Sequence, residues 1–275
     1  TMKKTIFKFI MGASLLALTY GCSEQKQATS SDEINVGVIL GFTGPIESLT
    51  PTMAASAEMA YKEASDSGKL LGGTTITVVR ADSTCIDAAA ATSAAERLIT
   101  SDNVVAIMGA DCSGVTTAIA NNVAIPNGVT MISPSATSPA LTDIEDNGYF
   151  FRTAPSDARG GEILAQVVLE KGISSVAVTH TNNDYGKGLA DSFSSAYTAL
   201  GGTVTIDIAH EDGKGDYSAE VGTLSASGAN ELVVIGYLDQ GGRGIIQSSI
   251  DSGAFSRFVL SDGMIGQSLI DNVDG

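Results

Sequence analysis

Short apolar runs alternate with Ala-rich segments of helical periodicity along the first half of the chain. Four of these runs are continuous, rich in β-branched residues and closed by Gly, Asp or Ser, as expected for buried strands of a parallel sheet. They predict strands at residues 34–41, 75–81, 104–109 and 129–133, with helices between them at 53–67, 88–100 and 115–123. Thr50-Pro51 offers an N-cap and a first-turn proline to the first helix, and Asp87 offers an N-cap to the second.

The alternation pauses near residues 142–155 and then begins again. The second half predicts strands at 175–179, 203–208, 231–235 and 258–260, with helices at 161–170, 188–200, 217–227 and 244–252. A chain that builds one parallel sheet, crosses over and builds another has the layout of two successive α/β domains. The predicted fold class is therefore α/β with two doubly wound, Rossmann-like domains, a first lobe over residues 34–154 and a second over 155–275.

The N-terminal segment has the pattern of an export signal. A lysine-rich start precedes an apolar run over residues 9–18, far shorter than the ~20 apolar residues that a membrane-spanning helix needs. Gly21-Cys22 and the polar stretch after it look like a bacterial lipoprotein cleavage site. We therefore expect a cleaved signal peptide at 1–21, a lipidated Cys22 and a flexible tether over 22–33. The alternative is a plain signal peptide that leaves Cys22 as a free thiol.

Acidic side chains outnumber basic ones in this sequence. The 275 residues contain 31 Asp and Glu against 15 Lys and Arg, which gives a formal net charge of −16. Nucleic-acid phosphates and anionic lipid head groups attract basic surfaces. The balance of charge therefore argues against nucleic acid as a partner, and against contact with a membrane other than through the lipid anchor.

Export bears on the oxidation state of the two other cysteines, Cys85 and Cys112. An even pair of cysteines in an oxidising compartment is expected to form a disulfide, and closing a loop of this size stabilises a protein by roughly 3–4 kcal/mol in the chain-entropy model. The alternative is a metal site, but the two histidines, His180 and His210, lie far along the chain. We therefore expect a Cys85–Cys112 disulfide, no metal and no cofactor.

Polar residues follow three predicted strands, at the sheet edge where α/β proteins bind ligands. Ser113 follows the third strand and precedes a helix, where a hydroxyl and free backbone N–H groups suit a carboxylate. Thr137 lies in a Ser- and Pro-rich loop after the fourth strand, and Asp262, which suits an ammonium group, follows the last strand. Each residue also has a structural alternative, because Ser113 and Asp262 can cap helices and the loop around Thr137 can be an ordinary turn.

Several short motifs occur in order between residue 34 and the end of the chain. They are Gly44-Pro45, the pair formed by Cys85 and Cys112-Ser113, the run Met131-Ile132-Ser133-Pro134-Ser135-Ala136-Thr137-Ser138-Pro139, Arg152-Thr153-Ala154, Asp184-Tyr185-Gly186-Lys187-Gly188-Leu189-Ala190, Asp216-Tyr217-Ser218 and Ile235-Gly236-Tyr237. Together they resemble the leucine/isoleucine/valine-type periplasmic binding proteins, the solute-binding components of branched-chain amino-acid ABC transporters. The resemblance implies the type I periplasmic binding protein fold, in which two lobes close on a ligand like a Venus flytrap.

The resemblance also implies roles within the cleft. The serine after the second cysteine, here Ser113, binds the α-carboxylate of the ligand. The loop over Ser135, Ala136 and Thr137 binds the α-ammonium group, together with an acid of the second lobe that is usually Glu and here is Asp262. The remaining implied contacts are two second-lobe tyrosines and a residue that is a large aromatic in branched-chain binders, here Tyr185, Tyr237 and Leu49.

The implied function is capture of a small amino acid and its delivery to the permease subunits of an ABC transporter, by a monomer in the periplasm or cell envelope. Leu49 replaces the aromatic residue of the branched-chain binders, which weakens a specific claim for leucine. An amide or urea-type ligand recognised by the same fold is an alternative, as is a sensor module of that fold. An enzyme is a further alternative, but Gly-x-Ser-x-Gly, Walker A and His-Glu-x-x-His motifs do not occur. Relative to the resembled family, we also expect a chain that is truncated after the Asp262 motif.

Overall fold

The computed structural model of the protein describes residues 32–274. The predicted signal peptide and the predicted lipidation site at Cys22 lie outside the described residues. Within residues 32–274, no helix has both the length and the apolar character needed to cross a membrane.

Two parallel sheets form the framework of the molecule. The first has the order β2-β1-β3-β4-β5 and contains β1 (Glu33–Leu40), β2 (Thr75–Asp82), β3 (Val104–Gly109), β4 (Thr130–Ser133) and β5 (Phe150–Arg152). The second has the order β7-β6-β8-β9 and contains β6 (Ser175–Thr181), β7 (Thr203–His210), β8 (Leu232–Ile235) and β9 (Phe258–Leu260). The α/β fold with parallel sheets that the sequence predicted is confirmed.

The helices connect the strands in the predicted alternation. Those of the first half are α1 (Thr50–Asp66), α2 (Ala88–Thr100) and α3 (Ser113–Ile119), and those of the second are α4 (Asp157–Glu170), α5 (Asp184–Ala199), α6 (Ser218–Ser225), α7 (Gly241–Ser252) and α8 (Gln267–Asp271). Helices α4, α5 and α7 begin three or four residues before their predicted starts. In each case glycines occupy the first turn, so the apolar periodicity begins later than the helix does.

The first two helices differ in how they are capped. Asp87 caps α2 as predicted, since its Oδ1 accepts hydrogen bonds from the backbone N–H groups of Ala89 and Ala90 at 2.9 and 3.0 Å. The prediction that Thr50 caps α1 is wrong, because Leu49 is the N-cap and Thr50 is the first helical residue. The Thr50 hydroxyl instead donates to the carbonyl of Gly41 at 3.0 Å, which ties α1 to the end of β1.

Strand β1 lies near the middle of the first sheet and is buried on both faces. Val38 and Leu40 pack with Ala54 of α1 on one face, while Ile39 packs on the other with residues such as Ile107. Burial on both faces explains why this strand has a continuous apolar sequence in place of an alternating one.

The edge strand β5 was predicted only as a crossover segment. Its three residues are too few for a recognisable strand pattern, yet they pair with β4 in parallel. All strands of the first sheet precede residue 154, and all strands of the second follow residue 155. The division into lobes over 34–154 and 155–275 stays a prediction.

Candidate functional site

The carboxyl ends of strands from both sheets surround a cavity of about 150 Å³. Most of the residues that the sequence placed in the cleft line it. The lining residues are Ile46, Leu49, Met53, Asp111, Cys112, Ser113, Ser135, Thr137, Tyr185, Tyr237, Asp262 and Gly263. The structure therefore gathers side chains from seven predicted positions, 49, 113, 135, 137, 185, 237 and 262, around one space.

Ser113 is a buried hydroxyl at the start of α3. It is the first helical residue and Cys112 is the N-cap, so the alternative in which Ser113 caps its own helix does not hold. The Ser113 Oγ accepts hydrogen bonds from the backbone N–H groups of Thr137 and Ser138, both at 3.1 Å. A hydroxyl whose oxygen accepts twice still has its own O–H to donate, so Ser113 can offer one hydrogen bond to an acceptor in the cavity.

The loop that follows β4 is fixed by hydrogen bonds to its backbone and side chains. The Ser135 hydroxyl donates to the carbonyl of Asp111 at 3.1 Å. The Arg152 guanidinium donates to the carbonyls of Ala136 and Ser138 at 3.2 and 2.8 Å. Ala136 is fully buried behind the cavity and does not line it. Thr137 does line the cavity, and the hydrogen bonds from Arg152 to Ala136 and Ser138 hold the backbone on either side of it.

Asp111 is a buried acid that sequence reasoning did not assign to the site. Its carboxylate accepts hydrogen bonds from the backbone N–H groups of Gly41 and Cys112 at 2.8 and 2.9 Å, and from the Ser83 hydroxyl at 3.3 Å. Burial raises the pKa of Asp111, and these hydrogen bonds oppose the rise. Asp111 therefore ties together the segments that follow β1, β2 and β3, beside Ser113.

A disulfide joins Cys85 to Cys112 in the same region. It links the loop after β2 to the loop after β3. Its Cys112 end lines the cavity directly before Ser113. The bond thus constrains the loop that presents the Ser113 hydroxyl.

Two stacked tyrosines form the wall contributed by the second sheet. The rings of Tyr185 and Tyr237 lie 5.3 Å apart between centroids, with an interplanar angle of 21°. The Tyr185 hydroxyl donates to Asp262 Oδ1 at 2.7 Å and accepts from the backbone N–H of Gly263 at 3.2 Å. Burial raises the pKa of both tyrosines well above the usual range, with the charge of Asp262 contributing. Both phenols are therefore neutral near pH 7.

The opposite wall is apolar. Leu49 lies at the N-cap of α1 and lines the cavity with Ile46 and Met53. These three side chains are apolar, and Leu49 stands at the position where the resemblance implies a large aromatic residue. The cavity therefore combines a hydroxyl donor, an acidic side chain and an aliphatic surface.

A second acid, Asp157, faces the site and was not predicted. It is the first residue of α4, it is 5% exposed, and its Oδ2 has no hydrogen-bond partner among the described residues. Burial raises the pKa of Asp157 to about 6, with the Thr137 hydroxyl opposing the rise, the charge of Asp262 adding to it and that of Arg152 opposing it. Because this helix was predicted to begin at residue 161, Asp157 was not recognised as its first residue. An acid at the first turn after the crossover was the available signal.

Asp157 lies in a larger recess of about 430 Å³. Ser135, Thr137 and Asp262 line both this recess and the smaller cavity, so the two spaces meet at those three residues. In the part of the chain from residue 32 to residue 274, no three His, Cys, Asp or Glu side chains are grouped to hold a metal ion.

The chain is similar to solute-binding proteins in sequence. A family model described as periplasmic binding protein matches residues 33–264. The Leu/Ile/Val-binding protein homolog 1 of Brucella melitensis is 29% identical over 269 residues, which are 98% of this chain and 69% of that protein.

Solved structures show the same similarity. The leucine-binding protein LivK of Thermotoga maritima superposes with a TM-score of 0.77 at 25% identity, covering 86% of this chain and 66% of that one. The branched-chain amino acid transporter substrate-binding protein LivJ of Streptococcus pneumoniae, solved in complex with isoleucine, superposes with a TM-score of 0.74 at 28% identity, covering 87% and 67%. The present chain thus spans about two thirds of the length of these proteins.

Proposed function

The chain belongs to the periplasmic binding protein family, and on that premise we propose that it captures a small amino acid, branched-chain or related, and delivers it to an ABC transporter. The observation that carries this proposal is the single cavity lined by Ser113, Thr137 and Asp262, with an aliphatic wall. A free amino acid carries a carboxylate, an ammonium group and a side chain, and the cavity has a complement to each.

Ser113 is the proposed partner of the ligand carboxylate. Its oxygen already accepts from two backbone N–H groups, so its own O–H is left to donate to the ligand. Thr137 and Asp262 are the proposed partners of the ammonium group, and a hydrogen bond to a charged group is stronger than one between neutral groups. Leu49 and its aliphatic neighbours would then receive the ligand side chain.

The proposed mechanism is closure of two lobes on the ligand. Ser113, Ser135 and Thr137 follow strands of the first sheet, whereas Tyr185, Tyr237 and Asp262 follow strands of the second. A ligand that contacts both groups binds the closed arrangement better and shifts the population toward it, in proportion to that difference in affinity. The crossover between β5 and α4 is the proposed site of the movement.

The remaining parts of the proposal concern location and partners. We propose an exported, monomeric protein of the periplasm or cell envelope, anchored by a lipid on Cys22 and recognised by permease subunits. The relatives support the transport role, since they are named as Leu/Ile/Val-binding and transporter substrate-binding proteins. Their names describe binding and not catalysis, which supports a role without enzymatic turnover.

The test is a thermal-shift screen of the protein, followed by calorimetry. The panel contains the branched-chain and other amino acids, their des-amino and decarboxylated analogues, and a set of amides including urea. We expect an amino acid to raise the unfolding midpoint by mass action, and both truncated analogues to fail. A response to amides alone would replace the amino acid by an amide-type ligand, and conversion of a bound compound into product would contradict the binding-protein role.

A further inference from the structure

The loop that follows β1 is joined to the second sheet through one residue, Asp239. This residue lies shortly after the end of β8. Its backbone N–H donates to the carbonyl of Pro45 at 3.1 Å, and its Oδ2 accepts from the backbone N–H of Ser48 at 2.9 Å. A single residue that follows a strand of the second sheet therefore bonds to two backbone groups of a loop that follows a strand of the first.

The same loop carries part of the apolar wall of the cavity. Ile46 and Leu49 are neighbours of the residues that bond to Asp239, and both side chains line the cavity. Leu49 also approaches the backbone of the second half of the chain, because a Cβ placed on Gly266 would lie 3.5 Å from Leu49 Cδ2. The bonds to Asp239 therefore fix where this wall lies relative to the second sheet.

The Asp239 carboxylate is oriented from its own side of the cleft. Its Oδ1 accepts from the hydroxyl of Ser268, a residue of α8, at 2.6 Å. The backbone before it is held as well, since the N–H of Leu238 donates to the carbonyl of Gly263 at 3.1 Å. The acceptor is therefore positioned without the loop, so little freedom is lost when Ser48 bonds to it.

Hydrogen bonds between the segments up to β5 and those after it are few. Within residues 32–274, the others join Asp157 to Thr137, beside the crossover. A bond beside the crossover can survive a movement of the lobes about it. Ser48 and Asp239 are 191 positions apart in the sequence, so their bond forms only when the lobes have come together.

We propose that Asp239 is a positioning residue for ligand capture, which holds the loop over residues 44–49 in the closed arrangement and thereby slows release of the ligand. The proposal rests on the proposed function, because closure of two lobes on a bound solute is assigned there. A contact that exists only in the closed arrangement stabilises the closed complex and leaves the open state unchanged. Its loss therefore raises the dissociation rate and leaves the association rate unchanged.

The test compares Asp239→Ala with the conservative variant Asp239→Asn. Both variants remove the same charge, and both keep the backbone N–H that donates to Pro45. The Asn side chain, however, has an oxygen that can accept from the Ser48 N–H and an amide N–H that can donate to the Ser268 hydroxyl. Restoration by Asn thus separates the effect of hydrogen bonding from that of charge.

Asp82→Ala is the matched control. Asp82 ends β2, and its carboxylate accepts from the backbone N–H of Thr43 at 3.3 Å and from the Thr43 hydroxyl at 2.7 Å. It holds the residue directly before the same loop, but from the first sheet, and it does not line the cavity. This variant shows what loosening the loop within one lobe does by itself.

Stopped-flow tyrosine fluorescence with isoleucine gives the two rate constants separately. We expect Asp239→Ala to release isoleucine roughly three- to tenfold faster than the wild type, which is the range of one ordinary hydrogen bond, with an unchanged association rate. We expect release from Asp239→Asn and from Asp82→Ala near the wild-type rate. A wild-type release rate in Asp239→Ala, or an equal increase in Asp82→Ala, would overturn the proposal.

Amide hydrogen exchange at Ser48 provides a measurement that does not require isoleucine. We expect this amide to exchange severalfold faster in Asp239→Ala than in the wild type or Asp82→Ala, because only Asp239→Ala removes its acceptor. If isoleucine does not bind the wild type but Ser48 exchange depends on Asp239 in this way, the role of Asp239 stands and the assigned amino acid is wrong. If Ser48 exchanges equally in all three proteins, the role proposed for Asp239 is wrong whatever isoleucine does.

Discussion

The Tyr185 hydroxyl donates a hydrogen bond of 2.7 Å to the carboxylate of Asp262. Asp262 is exposed at the rim, whereas Tyr185 is buried beneath it. The bond therefore orients a surface acid from below. A neutral phenol at this distance restricts where the Asp262 carboxylate can lie.

Removing this phenol should weaken ligand binding without unfolding the protein. In Tyr185→Phe the ring and its stacking on Tyr237 remain, but Asp262 loses a donor, and a hydrogen bond to a charged group contributes about 1.5–3 kcal/mol. We expect a loss of affinity of about tenfold or more in calorimetry. Tyr197→Phe is the control, since the Tyr197 hydroxyl donates to the Ile173 carbonyl away from the cavity, and equal losses in both variants would contradict the role given to Tyr185.

Truncation of Thr137 should have a larger effect on affinity. Thr137 lines the cavity, and truncating a residue that contacts a buried ligand charge costs on the order of 2–5 kcal/mol of binding energy. We expect Thr137→Ala, like Asp262→Ala, to abolish micromolar amino-acid binding and to keep a cooperative unfolding transition. Thr153→Ala removes a hydroxyl that donates to the Pro134 carbonyl in the adjoining segment, and it should bind normally. Unchanged affinity in Thr137→Ala would refute the site assignment.

The Cys85–Cys112 disulfide should contribute measurably to stability. It closes a loop with a sequence separation of 27, for which chain entropy gives about 3–4 kcal/mol. We expect a double Cys→Ser variant to lose that much free energy of unfolding and therefore to unfold at a lower urea concentration. We also expect it to bind ligand more weakly, because the loop that presents Ser113 is less constrained. Mass spectrometry of the exported protein that finds two free thiols would contradict the prediction.

The sequence predicted the sheets and much of the cavity for the same reason. Buried parallel strands have continuous apolar sequences, and the residues after them fall at one edge of each sheet. Ser113, Thr137 and Asp262 could therefore be found without a structure. Asp157 was missed, because glycines in the first turn of α4 hide where the helix begins. Asp111 was missed because its role depends on the backbone N–H groups of Gly41 and Cys112 and on the Ser83 hydroxyl, which come from segments after three different strands.

Ala136 illustrates another limit of the sequence. The motif that contains Ala136 predicts the loop, but which residues of the loop line the cavity depends on hydrogen bonds that a sequence pattern does not reveal. In the structure, the carbonyl of Ala136 is taken by Arg152, and the residues on either side of it, Ser135 and Thr137, line the cavity.

Two buried titratable groups should give opposite contributions to stability in acid. Burial, with His180 adding to it, lowers the pKa of His210 to about 4, below its ordinary value of 6.5. Between these values the unfolded chain binds a proton that the native state does not, so stability falls with pH from about 6.5 to 4, by about 3 kcal/mol. The pKa of Asp157 is raised to about 6 in the folded protein, so as the pH falls the native state binds this proton before the unfolded chain does. The contribution of Asp157 to stability therefore rises as the pH falls from 6 to 4.

Urea unfolding between pH 4 and 7 should separate the two groups. In His210→Gln we expect the stability to fall less steeply in acid than in the wild type, and in Asp157→Asn we expect it to fall more steeply. Only the slopes against pH are compared, because each substitution also changes packing. Parallel slopes in the wild type and His210→Gln would show that His210 titrates alike in the folded and unfolded protein.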